Sequence, residues 1–148
     1  MAVREESIYA DVPGGRELVR WFGKVPYFHD GEIVGLHLNR GATSFLNVRG
    51  WNMTDRVDAN GYFVLECHVV VTFALDGIMD LCLEHFSAQN VINGLTLRRA
   101  PDRPERLEYL TLVPKPEDIE IELEPCSGLN GFIRARSVVI SFDPEVRP

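Results

Sequence analysis

The longest strand-like stretch of the chain is residues 62–75, YFVLECHVVVTFAL. Every second residue from Phe63 to Phe73 is apolar, and β-branched and aromatic residues dominate, as is typical of a β-strand with a buried face. The opposite face carries Glu66, His68 and Thr72 beside two valines, so we expect it to be partly covered as well. This stretch predicts that the framework of the fold is a β-sheet.

Seven further segments have strand character: 32–39, 43–48, 79–86, 91–98, 107–113, 119–124 and 132–142. Asp-Gly and Asn-Gly pairs between them accept the positive φ of tight turns. A short helix is predicted over residues 16–22, where Leu18, Trp21 and Phe22 share one face and Gly23 provides the end. We therefore predict one mostly β domain over residues 1–148, an antiparallel sandwich or open barrel of about eight strands. The short helix lies within residues 13–23, and residues 1–12 are expected to include a flexible N-terminus.

Composition narrows the classes of partner. The chain of 148 residues has 15 Lys and Arg against 22 Asp and Glu, a net charge of −7. This acidic balance disfavours nucleic acid as a partner, because binding its phosphates requires clustered basic residues. It favours solubility or a basic protein partner. No apolar run approaches the roughly 20 residues of a membrane span. Three separated cysteines without a CxxC pair indicate the reducing cytoplasm.

The histidines and cysteines do not predict a metal site. Cys82 and His85 are three apart in a segment with strand character, so their side chains are expected on opposite faces. His68 and His85 would face each other across a hairpin only if its turn were the two residues Asp76 and Gly77. A three-residue turn keeps the apolar face continuous and separates the histidines, so we favour it. No nucleophile elbow or phosphate-binding loop is present in the sequence, and no catalytic residue, metal or cofactor is expected.

A run of acidic residues alternates with apolar ones near the end of the chain. Ile119, Ile121 and Leu123 are predicted to point inward. The ladder on the other face is Asp118, Glu120, Glu122 and Glu124. Like charges on one face repel, so the ladder is expected either to pair with Arg134 and Arg136 in the next strand or to attract a basic protein partner.

Several strings in order resemble the immunity protein 50 family of bacterial polymorphic toxin systems. They are Trp21-Phe22-Gly23, Pro26-x-Phe28-His29-Asp30-x-Glu32-Ile33, Gly77-x-x-Asp80-Leu81-x-Leu83-x-x-Phe86, Gln89-Asn90-Val91-Ile92 and Ser141-Phe142-Asp143-Pro144. The resemblance implies a small, mostly β, cytoplasmic protein that binds and neutralises a toxin without catalysis. It assigns Trp21, Phe28, His29, Asp30 and Glu32 to the architecture and leaves the interface to other segments. Residues 99–129, which include the acidic run, match none of the family's strings.

Other interpretations of the sequence remain open. One is a β-sandwich or barrel that holds a small ligand, with Trp51, Tyr62 and Phe63 near its mouth. Another is a metal-dependent enzyme that uses His29, Asp30 and Glu32, although such residues commonly fix a turn through backbone hydrogen bonds. A second copy of the chain is also an alternative to the N-terminal helix as the cover of residues 62–75.

Overall fold

The computed structural model describes residues 8–144, without the side chains of residues 52–56 and 63–67. Helix α1 spans Gly15–Phe22, close to the predicted 16–22, and ends at Gly23 with φ 79°. A 3₁₀ helix spans Pro104–Tyr109. The strands of the described part are β1 (Glu32–His37), β2 (Ser44–Val57), β3 (Phe63–Glu84), β4 (Val91–Arg99), β5 (Ile119–Ser127) and β6 (Asn130–Pro144).

The strands form a single antiparallel sheet in the order β1-β2-β3-β6-β5-β4. A pairing of Glu32 in β1 with Val91 in β4 joins the two ends of this order, so the sheet closes into a barrel. The predicted mostly β, antiparallel class is confirmed. The described residues contain six strands rather than about eight, and the sheet is closed rather than open.

The predicted hairpin at Asp76 and Gly77 is wrong, because β3 runs through this point without reversing. β6 pairs with β3 on both sides of it, from Val69 to Glu84, with a register shift between Ile78 and Asp80. Gly77 has φ 66°, and a Cβ there would lie 2.8 Å from Arg136 Cβ. A glycine in this conformation bends a strand, and such irregularities supply the curvature that closes a barrel.

The barrel interior is filled by the inward side chains of the strands. Val69, Val71, Phe73 and Leu75 are almost fully buried, which confirms the predicted inward face of β3 for the residues described. Helix α1 adds Leu18 and Phe22 to the same core. Because the helix has barely two turns, its stability depends on this contact.

Candidate functional site

The acidic run at the start of β5 lies partly beneath the surface. Its three apolar residues are buried as predicted: Ile119, Ile121 and Leu123. Asp118 and Glu120 are also fully buried, at 0% exposure, whereas Glu122 is half-buried and Glu124 is exposed. Of the four residues predicted to contact a partner, Asp118 and Glu120 are therefore out of a partner's reach, whereas Glu122 and Glu124 are accessible.

Asp118 is held by the two arginines that the alternation of β6 suggested. Arg134 Nη2 and Arg136 Nη1 each donate to its carboxylate at 2.8 Å, and the Lys115 amide donates at 2.8 Å. Burial on its own would raise the pKa of Asp118. The Lys115 amide and the two guanidinium groups outweigh this effect and lower its pKa below the ordinary value. Asp118 is therefore a charged structural group.

Glu120 is held by two different arginines. Arg98 donates to it through Nε at 3.0 Å and Nη2 at 2.6 Å, and Arg103 donates through both Nη atoms. In the strand register, Arg98, Glu120, Arg134 and Asp80 lie in one row across β4, β5, β6 and β3. The signs of charge alternate along this row, which is the favourable arrangement for neighbouring strands.

A segment between β4 and β5 covers this row of charges. We call residues 100–118 the strap. Its 3₁₀ helix has about three residues per turn, so Arg103 and Arg106 project from the same side. Arg106 donates to Asp80 at 2.6 and 3.1 Å, and the Arg103 guanidinium lies 3.8 Å from the centroid of the Phe132 ring. These contacts attach the middle of the strap to β3, β5 and β6.

Arginines from β6 attach the two ends of the strap. Arg134 Nη1 donates to the Pro101 carbonyl at 3.0 Å, and Arg136 Nη2 donates to the Val113 carbonyl at 2.8 Å. The strap is therefore held by charged side chains rather than by a strand ladder. Sequence patterning predicted a strand at residues 107–113, and that prediction is wrong.

The outer side of the strap is apolar, with an acidic border. Four large apolar side chains are exposed within seven residues, among them Val113 at 75%; they are Leu107, Tyr109, Leu112 and Val113. The exposed charged residues beside them are Asp102, Glu105, Glu108, Lys115 and Glu117. Four of these five charges are negative. Scattered apolar residues are normal on a surface, but four exposed large apolar side chains within seven residues, with acidic residues beside them, are a concentration typical of an interaction site.

Glu124, the last residue of the acidic ladder, has a separate role at the other side of β5. Its carboxylate accepts a short hydrogen bond from the Tyr27 hydroxyl. This bond is the main reason that the pKa of Tyr27 is raised above its ordinary value. The Tyr27 ring lies against Gly94, where a Cβ would be 2.1 Å from Tyr27 Cζ. A larger residue at this position of β4 would displace the Tyr27 ring from its place against the strand.

The residues that the family resemblance assigns to the architecture make local packing and turn contacts. Phe28 is buried in ring contact with Phe22 and Phe73, and Trp21 contacts Phe22 and Phe142. His29 Nδ1 lies 3.0 Å from the Asn93 carbonyl and Nε2 lies 3.5 Å from Asp30. Arg49 Nη1 lies 3.8 Å from Glu32 Oε1. The geometry of His29 and Asp30 is that of a turn fixed by hydrogen bonding.

The other candidate residues are dispersed. Among the described side chains, those of residues 8–51, 57–62 and 68–144, no three His, Cys, Asp or Glu are grouped so that they could hold a metal ion. His85 has φ 64° at the end of β3, and its ring contacts Glu84 and Asn130. Trp51 lines a shallow cavity of about 200 Å³ with Pro26 and His29, and Tyr62 is exposed. The side chain of Phe63 lies outside the described residues.

No protein-family model, curated protein or solved structure matches this chain. Within the part of the chain that the structure describes, no helix has both the length and the apolar character required to cross a membrane.

Proposed function

We propose that this chain is a non-catalytic binding protein, of the immunity type, that neutralises a bacterial toxin domain by docking it on the outer side of the strap. The observation that supports this most directly is the exposure of Leu107, Tyr109, Leu112 and Val113 on one short segment. Burying such side chains against a partner is favourable, at roughly 25 cal/mol per Å² of apolar surface. Tyrosine is also enriched at the centres of interfaces.

The charges around the patch indicate the character of the partner. Glu105 and Glu108 flank the exposed apolar residues, while Arg103 and Arg106 of the same helix turn inward to Glu120 and Asp80. The outer side of the strap is therefore acidic in a chain whose net charge is already −7. A basic surface on the toxin domain would be attracted to it, and the association rate would fall as salt is added.

The mode of attachment suits a docking segment. Arg103, Arg106, Arg134 and Arg136 fix the inner side of the strap through ion pairs and carbonyl contacts. A segment held in one conformation loses less conformational entropy on binding than a loose loop. The strap also lies within residues 99–129, the stretch outside the strings shared with the immunity protein 50 family. A family whose members bind different toxins would vary such a stretch.

Growth protection tests this proposal. The toxin domain encoded beside the gene is expressed in bacteria with the wild-type chain, with Val113→Asp or with Val34→Asp. Val34 is an exposed valine of β1, outside the strap, and is the matched control. We expect protection by the wild type and by Val34→Asp, and loss of protection with Val113→Asp because a carboxylate enters the apolar patch. Calorimetry with the purified toxin domain should show a Kd that is at least tenfold weaker for Val113→Asp.

Two results would contradict the proposal at different levels. If the wild-type chain neither binds nor protects against the neighbouring toxin domain, the immunity function is wrong. If Val113→Asp and a second variant, Leu107→Asp, both protect as well as the wild type, the immunity function stands but the strap is not the interface. Thermal unfolding of each variant separates loss of binding from loss of folding.

A further inference from the structure

In the part of the chain that the structure describes, one edge of β4 has a strand beside it only at Val91. The pairing of β1 with β4 is confined to Glu32 and Val91, whereas β5 pairs with β4 as far as Arg99. Beyond Val91, the segment before β1 contributes two backbone hydrogen bonds to this edge, from the Ile92 amide to the Gly31 carbonyl at 2.8 Å and from the Leu95 amide to the Tyr27 carbonyl at 2.7 Å. His29 Nδ1 also lies 3.0 Å from the Asn93 carbonyl. Within residues 8–144, no strand pairs on this side with the stretch of about 13 Å from Leu95 to Arg99.

Two hydrogen bonds determine which backbone groups of β4 face that side. The Leu95 amide points away from β5, to Tyr27, and the Ala100 amide points toward β5, to the Asp118 carbonyl at 2.9 Å. The register is regular from Leu95 to Arg99, and successive backbone groups of an antiparallel strand alternate between its two sides. The amides and carbonyls of Leu97 and Arg99 must therefore face away from β5. Within the described residues, neither amide has a hydrogen-bond acceptor.

A groove runs along this edge. Its volume is about 580 Å³, and its lining is mainly apolar: Ile8, Tyr9, Val25, Pro26, Tyr27, Leu95, Thr96, Leu97, Arg98 and Arg99. Leu97 is buried, so its unpaired amide lies in a setting where a missing hydrogen bond is costly. The Tyr9 hydroxyl, in a residue that lines the groove and is 2% exposed, also has no hydrogen-bond partner among the described side chains and backbone groups. Burial raises the pKa of Tyr9, so this hydroxyl keeps its proton.

The charge of the groove differs from that of the whole chain. Its lining contains Arg98 and Arg99 and no acidic residue, although the chain carries a net charge of −7. The carboxylates that pair with these arginines are Glu120 and Glu122 for Arg98 and Asp11 for Arg99, and all three lie outside the lining. Both arginine side chains are more than one third exposed. A ligand with an acidic group at this end of the groove would be favoured.

We propose that the groove binds an extended acidic–apolar segment of a partner protein, which adds as a strand to the open edge of β4. The backbone of such a segment supplies a carbonyl to the Leu97 amide and another to the Arg99 amide, since strand addition satisfies alternate groups of an edge. Its apolar side chains pack on Val25 and Pro26, and a carboxylate near its end approaches Arg99. This site is separate from the outer side of the strap and does not depend on the function proposed for it.

Peptide selection provides the probe. The purified full-length chain is used to select from a phage-displayed library of random heptapeptides, and a selected peptide is synthesised with a fluorescent label. We expect selected sequences with apolar residues at alternate positions and an acidic residue at one end. N-methylation of one backbone amide at a time should weaken binding at alternate positions by roughly threefold to tenfold, the value of one hydrogen bond.

Two substitutions of Arg99 separate the contribution of its backbone amide to peptide binding from that of its side chain. Arg99→Pro removes the outward amide, which β5 does not use, whereas Arg99→Ala removes the side chain and retains the amide. We expect the Kd of an uncharged selected peptide to be within about twofold of wild type for Arg99→Ala and roughly threefold to tenfold weaker for Arg99→Pro. Val113→Asp on the strap should bind the peptide as the wild type does.

Amide hydrogen exchange of the free chain, measured residue by residue, tests whether the edge is already occupied. We expect the Leu97 amide to exchange faster than the Thr96 amide, which bonds to β5, and to become protected when the peptide is added. Equal protection of both amides in the free chain would mean that residues 1–7 or a second copy occupies the edge, and would overturn the proposal. Failure to select a binding peptide, or equal affinity of all N-methylated peptides, would overturn it as well.

Discussion

Removal of the Glu120 carboxylate is the most direct test of the charge row beneath the strap. Glu120→Ala leaves Arg98 and Arg103 without the oxygen atoms that both guanidinium groups contact. Glu122→Ala is the matched control, because Glu122 is two residues away on the same strand and faces the same Arg98. It is 46% exposed, and its ion pair with Arg98 measures 3.4 Å.

The loss of unfolding free energy in Glu120→Ala depends on which carboxylate contacts Arg98 and Arg103 keep. Breaking a buried ion pair by removing one partner costs about 3–5 kcal/mol, because the remaining charge is left uncompensated. Arg98 still has Glu122 and is partly solvated, whereas Arg103 is 22% exposed and loses its only carboxylate contact among the described residues. The lower end, about 3 kcal/mol, is therefore expected for Glu120→Ala. An exposed pair such as Arg98–Glu122 contributes at most about 1 kcal/mol.

Urea and thermal unfolding measure these differences. For a chain of this size, 1 kcal/mol corresponds to roughly 2–4 °C in Tm. We expect Glu120→Ala to lower Tm by about 6–12 °C and Glu122→Ala by less than about 4 °C. A double-mutant cycle with Arg103→Ala should give a coupling free energy of about 1–3 kcal/mol between Glu120 and Arg103.

The reasoning would be refuted if the two glutamate variants had the same free energy of unfolding. Equal values would mean that Glu120 is as solvated as Glu122 and that the strap does not cover it. A coupling free energy near zero, with a large loss for Glu120→Ala alone, would instead assign the loss to Arg98.

Two further predictions concern groups that hold the strap and the bend of β3. Because the folded-state pKa of Asp118 is lowered, its contribution to stability is complete above the ordinary value of 3.8 and is lost as pH falls through the folded value. The free energy of unfolding should therefore fall below about pH 4, and Asp118→Asn should flatten that dependence in urea titrations; an unchanged slope would exclude Asp118 as its source. Gly77→Ala should cost about 2–3 kcal/mol, since φ is 66° and the new Cβ would lie 2.8 Å from Arg136 Cβ. Gly41→Ala, at φ 73° with no atom within 4 Å of the new Cβ, should cost only about 1 kcal/mol, and equal losses in thermal unfolding would show that the contact with Arg136 is unimportant.

The candidate interaction sites illustrate what patterning alone could find. The alternation of acidic and apolar residues indicated the faces of β5 and the pairing of Asp118 with Arg134 and Arg136. It did not reveal that Arg103 and Arg106 turn inward over that face. Pro104 and Pro114 are signals against a strand at residues 107–113, because proline cannot donate to a ladder. They do not indicate where the segment between them packs.

The β4 groove had no signal in the sequence. Residues 91–98 were predicted as a strand, but an edge is defined only by the absence of a neighbour along one side. The barrel closes through the pairing of Glu32 with Val91, and the segment before β1 bonds only to Ile92 and Leu95, so the amides of Leu97 and Arg99 have no backbone acceptor among the described residues. Such a gap depends on the stagger between strands that are far apart in the sequence.

The sequence by itself determined the β class, the helix that ends at Gly23 and the residues that share a face, such as Val69, Val71 and Phe73. These features follow from local rules, since side chains of a strand alternate and glycine accepts positive φ. Only the tertiary structure decided that β3 bends at Gly77 instead of reversing and that Glu120 is buried. Alternation states which residues lie on the same face, but solvent, another strand or a strap can cover that face. The choice among them is made by contacts between segments distant along the chain.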